Sequence, residues 1–262
     1  MNRCAVWRLA EKLAALVWPR RCPLCGELLG PDAAEGVLCP ACAPQAAALA
    51  HNPPRLHAAE HGWYALSGAA AAYRYEGAVR QAILLAKGNA RPWAARELAD
   101  LVALRVFGAE SALPGGRPRY QGLAGFPLYD AIVPVPPRRP GTGKLPARLA
   151  RRLGAVLGIP VVEALVPTRR MQPQKSLDRM ARYANTRAGY AARGGLDLSG
   201  KRLLLVDDIL TTGATASACA LALLEAGAVS VFAVTVAAAG ESAQASRTAA
   251  PQPHQPARPE KA

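Results

Sequence analysis

The sequence predicts an α/β fold, a parallel sheet flanked by helices, with a small cysteine-bearing module ahead of it and a polar tail behind. Three observations predict it. Leu203–Val206 is an unbroken apolar run, the character of a strand covered on both faces. It leads to an Ala- and Leu-rich helical stretch, Ala216–Ala226, that stops at Gly227 and is followed by a second apolar run, Val229–Val236. Upstream, short apolar runs alternate with helical patterns, as in successive βαβ units.

The elements follow in order. Val6, Leu9, Leu13, Leu16 and Val17 fall at helical spacing after a basic start. Glu11 and Lys12 interrupt any apolar core and no small-residue cleavage site follows, so the segment reads as an amphipathic helix, not a targeting signal. No run approaches the ~18 apolar residues that span a bilayer. Trp18 and Pro19 then lead into four cysteines. Further on, Ala69–Tyr75 is expected as a strand, Gly77–Ala86 and Arg96–Phe107 as helices, and Gly108–Gly125 as a Gly- and Pro-rich surface loop. Leu128–Val135 is expected as a strand, Pro146–Leu157 as a helix, and Val161–Val162 as part of a short strand. Gly240–Ala262, rich in Pro, Gln, Ser and Ala, reads as a disordered tail.

Cys22, Cys25, Cys39 and Cys42 form C-x2-C, thirteen intervening residues, and C-x2-C. Each pair shares a tight turn that aims both sulfurs at one point, and two such turns make a tetrahedral thiolate site for structural zinc. Disulfides are the competing reading. A chain without a recognisable secretory signal belongs in a reducing cytoplasm, where paired CxxC motifs favour metal. Four cysteines close the coordination sphere, which leaves no open position for catalysis. His51, His57 and His61 follow as loop residues, and Cys4 and Cys219 read as bystanders. The organisation is thus an amphipathic helix and zinc-ribbon module over residues 1–62, the main domain over 63–239 and the tail over 240–262.

The chemistry concentrates in VDDILTTGAT, Val206–Thr215. Asp207 and Asp208 fall at the carboxyl end of a strand, where open α/β sheets bind ligands. Thr211, Thr212, Gly213, Ala214 and Thr215 form a small hydroxyl-rich turn before a helix, whose free N–H groups and dipole favour an anion. A monoester phosphate fits that turn, and the two carboxylates suit a cis-diol or a hydrated magnesium ion. Asp and Thr also end strands and cap helices merely to satisfy backbone amides. The fragment Gly141–Lys144 is not a P-loop: Arg138 replaces the first glycine and Leu145 the Ser or Thr.

VDDILTTGAT resembles the phosphoribosyl pyrophosphate (PRPP) motif of type I phosphoribosyltransferases. Taken with WPRRCPLCG at Trp18–Gly26, YRYEGAVRQAILLAKGN at Tyr73–Asn89, YDAIVPVP at Tyr129–Pro136 and QKSLDRMARYANTRAGY at Gln174–Tyr190, the chain resembles the ComF family from Trp18 to Val236. The resemblance implies a type I phosphoribosyltransferase-like sheet behind an N-terminal zinc ribbon, and a link with bacterial DNA uptake. It implies that Asp207 and Asp208 hold the ribose hydroxyls, that Thr211–Thr215 hold the 5-phosphate, and that magnesium accompanies PRPP. Lys87, Gln174, Arg182 and Asn185 match recurrent family positions, and Val133–Pro137 corresponds to a pyrophosphate loop. The chain departs from the family where an RGFNQ-like run is usual: it reads RRPGTGKLPARLA, leaving Arg139 and Lys144 for the cationic role.

The net charge of +14 favours polyanionic company, either nucleic acid or a phosphorylated substrate. Aromatic residues make up 5%, so a base-stacking platform is not evident. Two functions of different class follow: transfer of a phosphoribosyl group from PRPP to an acceptor, or a non-catalytic adaptor that engages single-stranded DNA or a helicase partner.

Overall fold

A computed structural model describes residues 19–29, 37–57, 63–88, 90–111, 118–119, 128–138, 144–168 and 189–239. The elements are α1 (Ala43–Leu49), β1 (Arg55–Leu56), β2 (Gly68–Arg74), α2 (Gly77–Lys87), α3 (Ala94–Phe107), β3 (Glu110–Ser111), β4 (Pro118–Arg119), β5 (Ala131–Pro134), α4 (Leu145–Leu157), β6 (Leu165–Pro167), β7 (Tyr190–Ala192), β8 (Arg202–Leu210), α5 (Ala214–Glu225) and β9 (Ser230–Ala238).

The principal sheet has the order β1-β2-β9-β8-β5. Its four longer strands are parallel, and only the short edge strand β1 runs antiparallel, against β2. Val161 extends the β5 edge by a single parallel bridge to Ile132. The expected mixed fold, a mostly parallel sheet flanked by helices, is therefore present.

Side-chain alternation along the strands sorts the interior into two cores. Leu204 and Val206 of β8, Ile132 of β5 and Val234 and Val236 of β9 face one side, where α2, α3 and α4 pack. Leu203 and Leu205, Val133, Val231 and Ala233 face the other, against α5 and the β6–β7 ribbon. The helices meet this sheet through matched stripes. In α4, Leu145, Leu149, Ala150 and Leu153 recur at helical spacing and are buried, while Arg148 and Arg151 stay toward solvent. Leu204 is fully buried, and its replacement by Ala would cost about 2–5 kcal/mol through the cavity left between sheet and helices.

Three expectations change. The Gly108–Gly125 segment contains a two-strand antiparallel ribbon, β3 with β4, because backbone pairing organises what composition marks as loop. The strand of the acidic motif does not end at Val206. It continues to Leu210, because β9 is equally long and pairs Asp207 with Thr235 and Ile209 with Ala237. The following helix begins at Ala214, two residues early, since Gly213 at φ 77° makes the left-handed turn that starts it.

The cysteine-bearing segment does not stand apart. Cys22, Leu24, Val37, Leu38, Cys39, Cys42 and Ala46 share the core of α2 and α3. Arg20 reaches Glu97 of α3 at 2.7 Å and Asp100 at 3.9 Å, and Arg152 of α4 holds Asp100 from the other side, at 3.1 Å for one of its two hydrogen bonds. Asp100 is fully buried. Burial, ahead of the opposing Arg152 hydrogen bond, pushes its carboxyl up to about 6.

Candidate active site

Because β8 keeps its alternation past Val206, the adjacent acids leave the sheet on opposite sides. Asp208 continues the face of Leu204 and Val206, toward α2. Its Oδ1 lies 2.9 Å from Nζ of Lys87, the last residue of α2, where a cation also suits the helix dipole. Asp207 continues the other face, toward β7 and α5. Its Oδ1 accepts the Asp208 backbone N–H at 2.8 Å. Burial first, and then the neighbouring Asp208 carboxylate, push Asp207 up to about 8, with Lys87 and Arg138 opposing. Asp208 is raised chiefly by burial and pulled back by Lys87. Two carboxyl groups with one ion-paired lysine thus retain a proton at neutral pH, and the group that would release it is a cation arriving with a ligand.

Both acids line a cleft of ≈ 240 Å³ together with Lys87, Val135, Pro136, Pro137, Pro146, Tyr190 and Thr215. The turn beside it has an internal structure. Gly213 is the N-cap of α5 and supplies no side-chain cap. The Thr212 hydroxyl accepts the Ala214 N–H at 3.4 Å, which braces the turn and leaves its own O–H as a donor. Thr215 lies on the cleft wall.

The segment Val133–Pro137 offers the cleft little hydrogen bonding of its own. Pro134, Pro136 and Pro137 have no N–H, and that of Val135 donates to the Val206 carbonyl at 2.9 Å. An anion held along Val133–Pro137 itself has to be met by side chains. Lys144 is the exposed N-cap of α4 and is not among the cleft-lining residues. Arg139, Gln174, Arg182 and Asn185 lie outside the described residues. Two residues that sequence reasoning passed over are present instead. Arg138 donates from Nε to the Tyr190 hydroxyl and from Nη2 to Thr215 Oγ1, each at 3.3 Å. Tyr190 is only the last letter of a motif in the sequence, yet it is 5% exposed and walls the cleft.

The four cysteines form a second, separate cluster. Their sulfurs all lie within 4.8 Å of one another, with Cys25 and Cys39 3.6 Å apart, and no disulfide joins them. Tetrahedral zinc with Zn–S near 2.3 Å requires sulfurs about 3.8 Å apart, so the donor set fits such an ion. The first knuckle closes through Gly26 N–H to Cys22 O at 2.8 Å, with Gly26 at φ 90°, and the second through Ala43 N–H to Cys39 O at 3.0 Å. Cys4 and His61 fall outside the described residues, His57 is exposed, and Cys219 is buried in α5.

No protein-family model and no curated protein matches the chain. Solved structures overlap it in part. An allosteric regulatory enzyme of purine biosynthesis is 22% identical, with 53% of this chain and 25% of that one covered and a TM-score of 0.34. The glutamine PRPP amidotransferase from B. subtilis, complexed with ADP and GMP, gives 21%, 53%, 25% and 0.33. A purine phosphoribosyltransferase from Pyrococcus horikoshii Ot3 gives 22%, with 42% of this chain and 62% of that one covered, at 0.28. The chain spans about a quarter of the first two and less than two thirds of the third. Overlaps this loose carry no weight for function, which rests on the cleft's own chemistry. Among the described residues, no helix is long and apolar enough to cross a membrane.

Proposed function

We propose that the cleft binds PRPP and that the protein is a phosphoribosyltransferase-like member of the ComF family. The observation that carries this reading is the convergence of Asp207, Asp208, Lys87 and the opening turn of α5 on one cleft at the carboxyl end of β8. The acids would orient the ribose through its hydroxyls, and Gly213 to Thr215 would hold the 5-phosphate. Magnesium carried by the ligand would neutralise charge on the departing pyrophosphate. In the transfer itself the bond from ribose C1 to pyrophosphate breaks, the electron pair leaves with pyrophosphate, and a bond from C1 to the acceptor forms. An ionised Asp207 would favour the positive charge that develops on the sugar. The cysteine site would hold zinc as a structural ion.

The test is calorimetric titration of PRPP with magnesium into the zinc-loaded full chain, followed by a pyrophosphate-release assay over a panel of nucleobases. Binding lost in the Asp207→Asn, Asp208→Asn double variant supports the site, and unchanged affinity removes it. Binding without release favours the second reading, a ligand-gated adaptor for single-stranded DNA or a helicase in DNA uptake, for which the charge of +14 speaks. That reading requires DNA binding that weakens steeply with salt.

A further inference from the structure

We infer that Arg138 is the residue that makes the cleft specific for ligands carrying a phosphate monoester dianion, acting from a position pre-set by Tyr190 and Thr215. This rests on the PRPP-type reading of the cleft and assigns it a residue that neither the motif nor its family matches include.

Arg138 follows three residues that line the cleft, Val135, Pro136 and Pro137, and lies just beyond the end of β5. Its guanidinium joins two further lining residues from different elements. Nε donates to the Tyr190 hydroxyl on β7, and Nη2 donates to Thr215 Oγ1 in the first turn of α5. The Tyr190 ring is buried and therefore fixed, so the planar fork is held in one orientation at the cleft rim. A phosphate meets this guanidinium through its charge and by exchanging for one of those two hydrogen bonds, with little further loss of side-chain freedom. Its neighbours explain why this cation is useful: Val133–Pro137 offers the cleft no amide, because three of its residues are proline and the Val135 N–H is given to Val206. Lys87 is committed to Asp208, on the opposite side of β8. Arg138 is a cation tied directly to the turn that would hold the 5-phosphate. The positive charge also lies close enough to Asp207 to oppose the rise of its carboxyl.

Ribose 5-phosphate, inorganic phosphate and ribose, titrated separately into the zinc-loaded full chain, test this. In Arg138→Met the affinity for ribose 5-phosphate should fall by about tenfold to a hundredfold, as for loss of a charge-assisted pair, with ribose binding unchanged. Arg138→Lys should recover only part of the loss, because an ammonium keeps the charge without the fork. Tyr190→Phe should cost less than Arg138→Met, since it frees the fork without removing it. A merely structural role would not move the pH profile. Wild-type affinity for ribose 5-phosphate should rise as the ester takes its second charge near pH 6, and Arg138→Met should flatten that rise. Affinity within about twofold of wild type in Arg138→Met, with the rise intact, overturns the role of Arg138 while PRPP binding by the wild type leaves the cleft reading standing. If wild type binds neither PRPP nor ribose 5-phosphate, the reading of the cleft fails and this inference with it.

Discussion

The molecule holds two pairs of acids in largely buried settings, Asp207 alone being only half-buried, and they are built on opposite principles. At the join between the cysteine segment and the helices, Glu97 and Asp100 meet two arginines, Arg20 and Arg152, inside a closed core. At the end of β8, Asp207 and Asp208 meet one lysine that is itself 37% exposed, and they open onto a cleft. The first cluster is ion-paired on both sides, whereas in the second, burial and the mutual repulsion of the acids outweigh the neighbouring Lys87 and Arg138. A matched buried cluster fixes how elements sit against one another. An unmatched one beside open space holds charge in reserve for a cationic or hydroxyl-bearing ligand, at some expense in stability.

That contrast can be broken at either end. The largest effect is expected from the cysteines, because a structural zinc contributes on the order of 10 kcal/mol to the folding of a small metal module. Cys22→Ser with Cys25→Ser should lose zinc by metal analysis. Since the knuckles share a core with α2 and α3, amide protection should fall in those helices as well. Protection lost only in residues 19–50 would mean that the segment is independent of the main domain. Next, Asp100→Ala should destabilise by about 3–5 kcal/mol in denaturant titration, since it removes the buried carboxylate that holds Arg152 while Arg20 keeps Glu97.

In the cleft the signs invert. Asp207 has a folded-state pKa raised to about 8, so the native state holds a proton that the unfolded chain releases near pH 4, and stability declines as pH rises between those values. Asp207→Asn should therefore raise the thermal midpoint at pH 8 and leave it unchanged at pH 4. The same variant should lower PRPP affinity by on the order of tenfold to a hundredfold. A drop in midpoint at pH 8 would place Asp207 with the structural acids. Calorimetry of the wild type near pH 7 in buffers of different ionisation enthalpy should register a proton released when PRPP and magnesium bind, with affinity rising up to about pH 8. The smallest effect belongs to Lys87→Met. PRPP affinity should fall about twofold to fivefold, because the pair is partly screened, while magnesium alone binds more tightly to the acids it uncovers.

Much of this was legible in the chain. Strand period and glycine placement give the parallel sheet, the motif strand and the helix after it, because a doubly covered strand needs a continuous apolar run and a tight turn needs a residue free to take positive φ. The C-x2-C spacing gives the four sulfurs, since a local turn brings each pair together. The acids' location at the ligand-binding end of the sheet is likewise local information. Other features are long-range. Asp207 and Asp208 read as one paired unit in sequence, and it is the unexpected extension of β8 along β9 that turns them to opposite faces and assigns Lys87 to one of them. That Arg138 reaches Thr215 and Tyr190 was not legible, because a proline-rich segment carries no periodicity from which the direction of each side chain can be read. The arginine-flanked cluster of Glu97 and Asp100 was silent for the same reason, because charges that meet from Arg20, α3 and α4 look like ordinary surface residues until packing removes their water. Local conformation and spacing are set by near neighbours in the chain. Which cation faces which carboxylate is set by how helices and strands distant in sequence pack, and only the tertiary structure decides it.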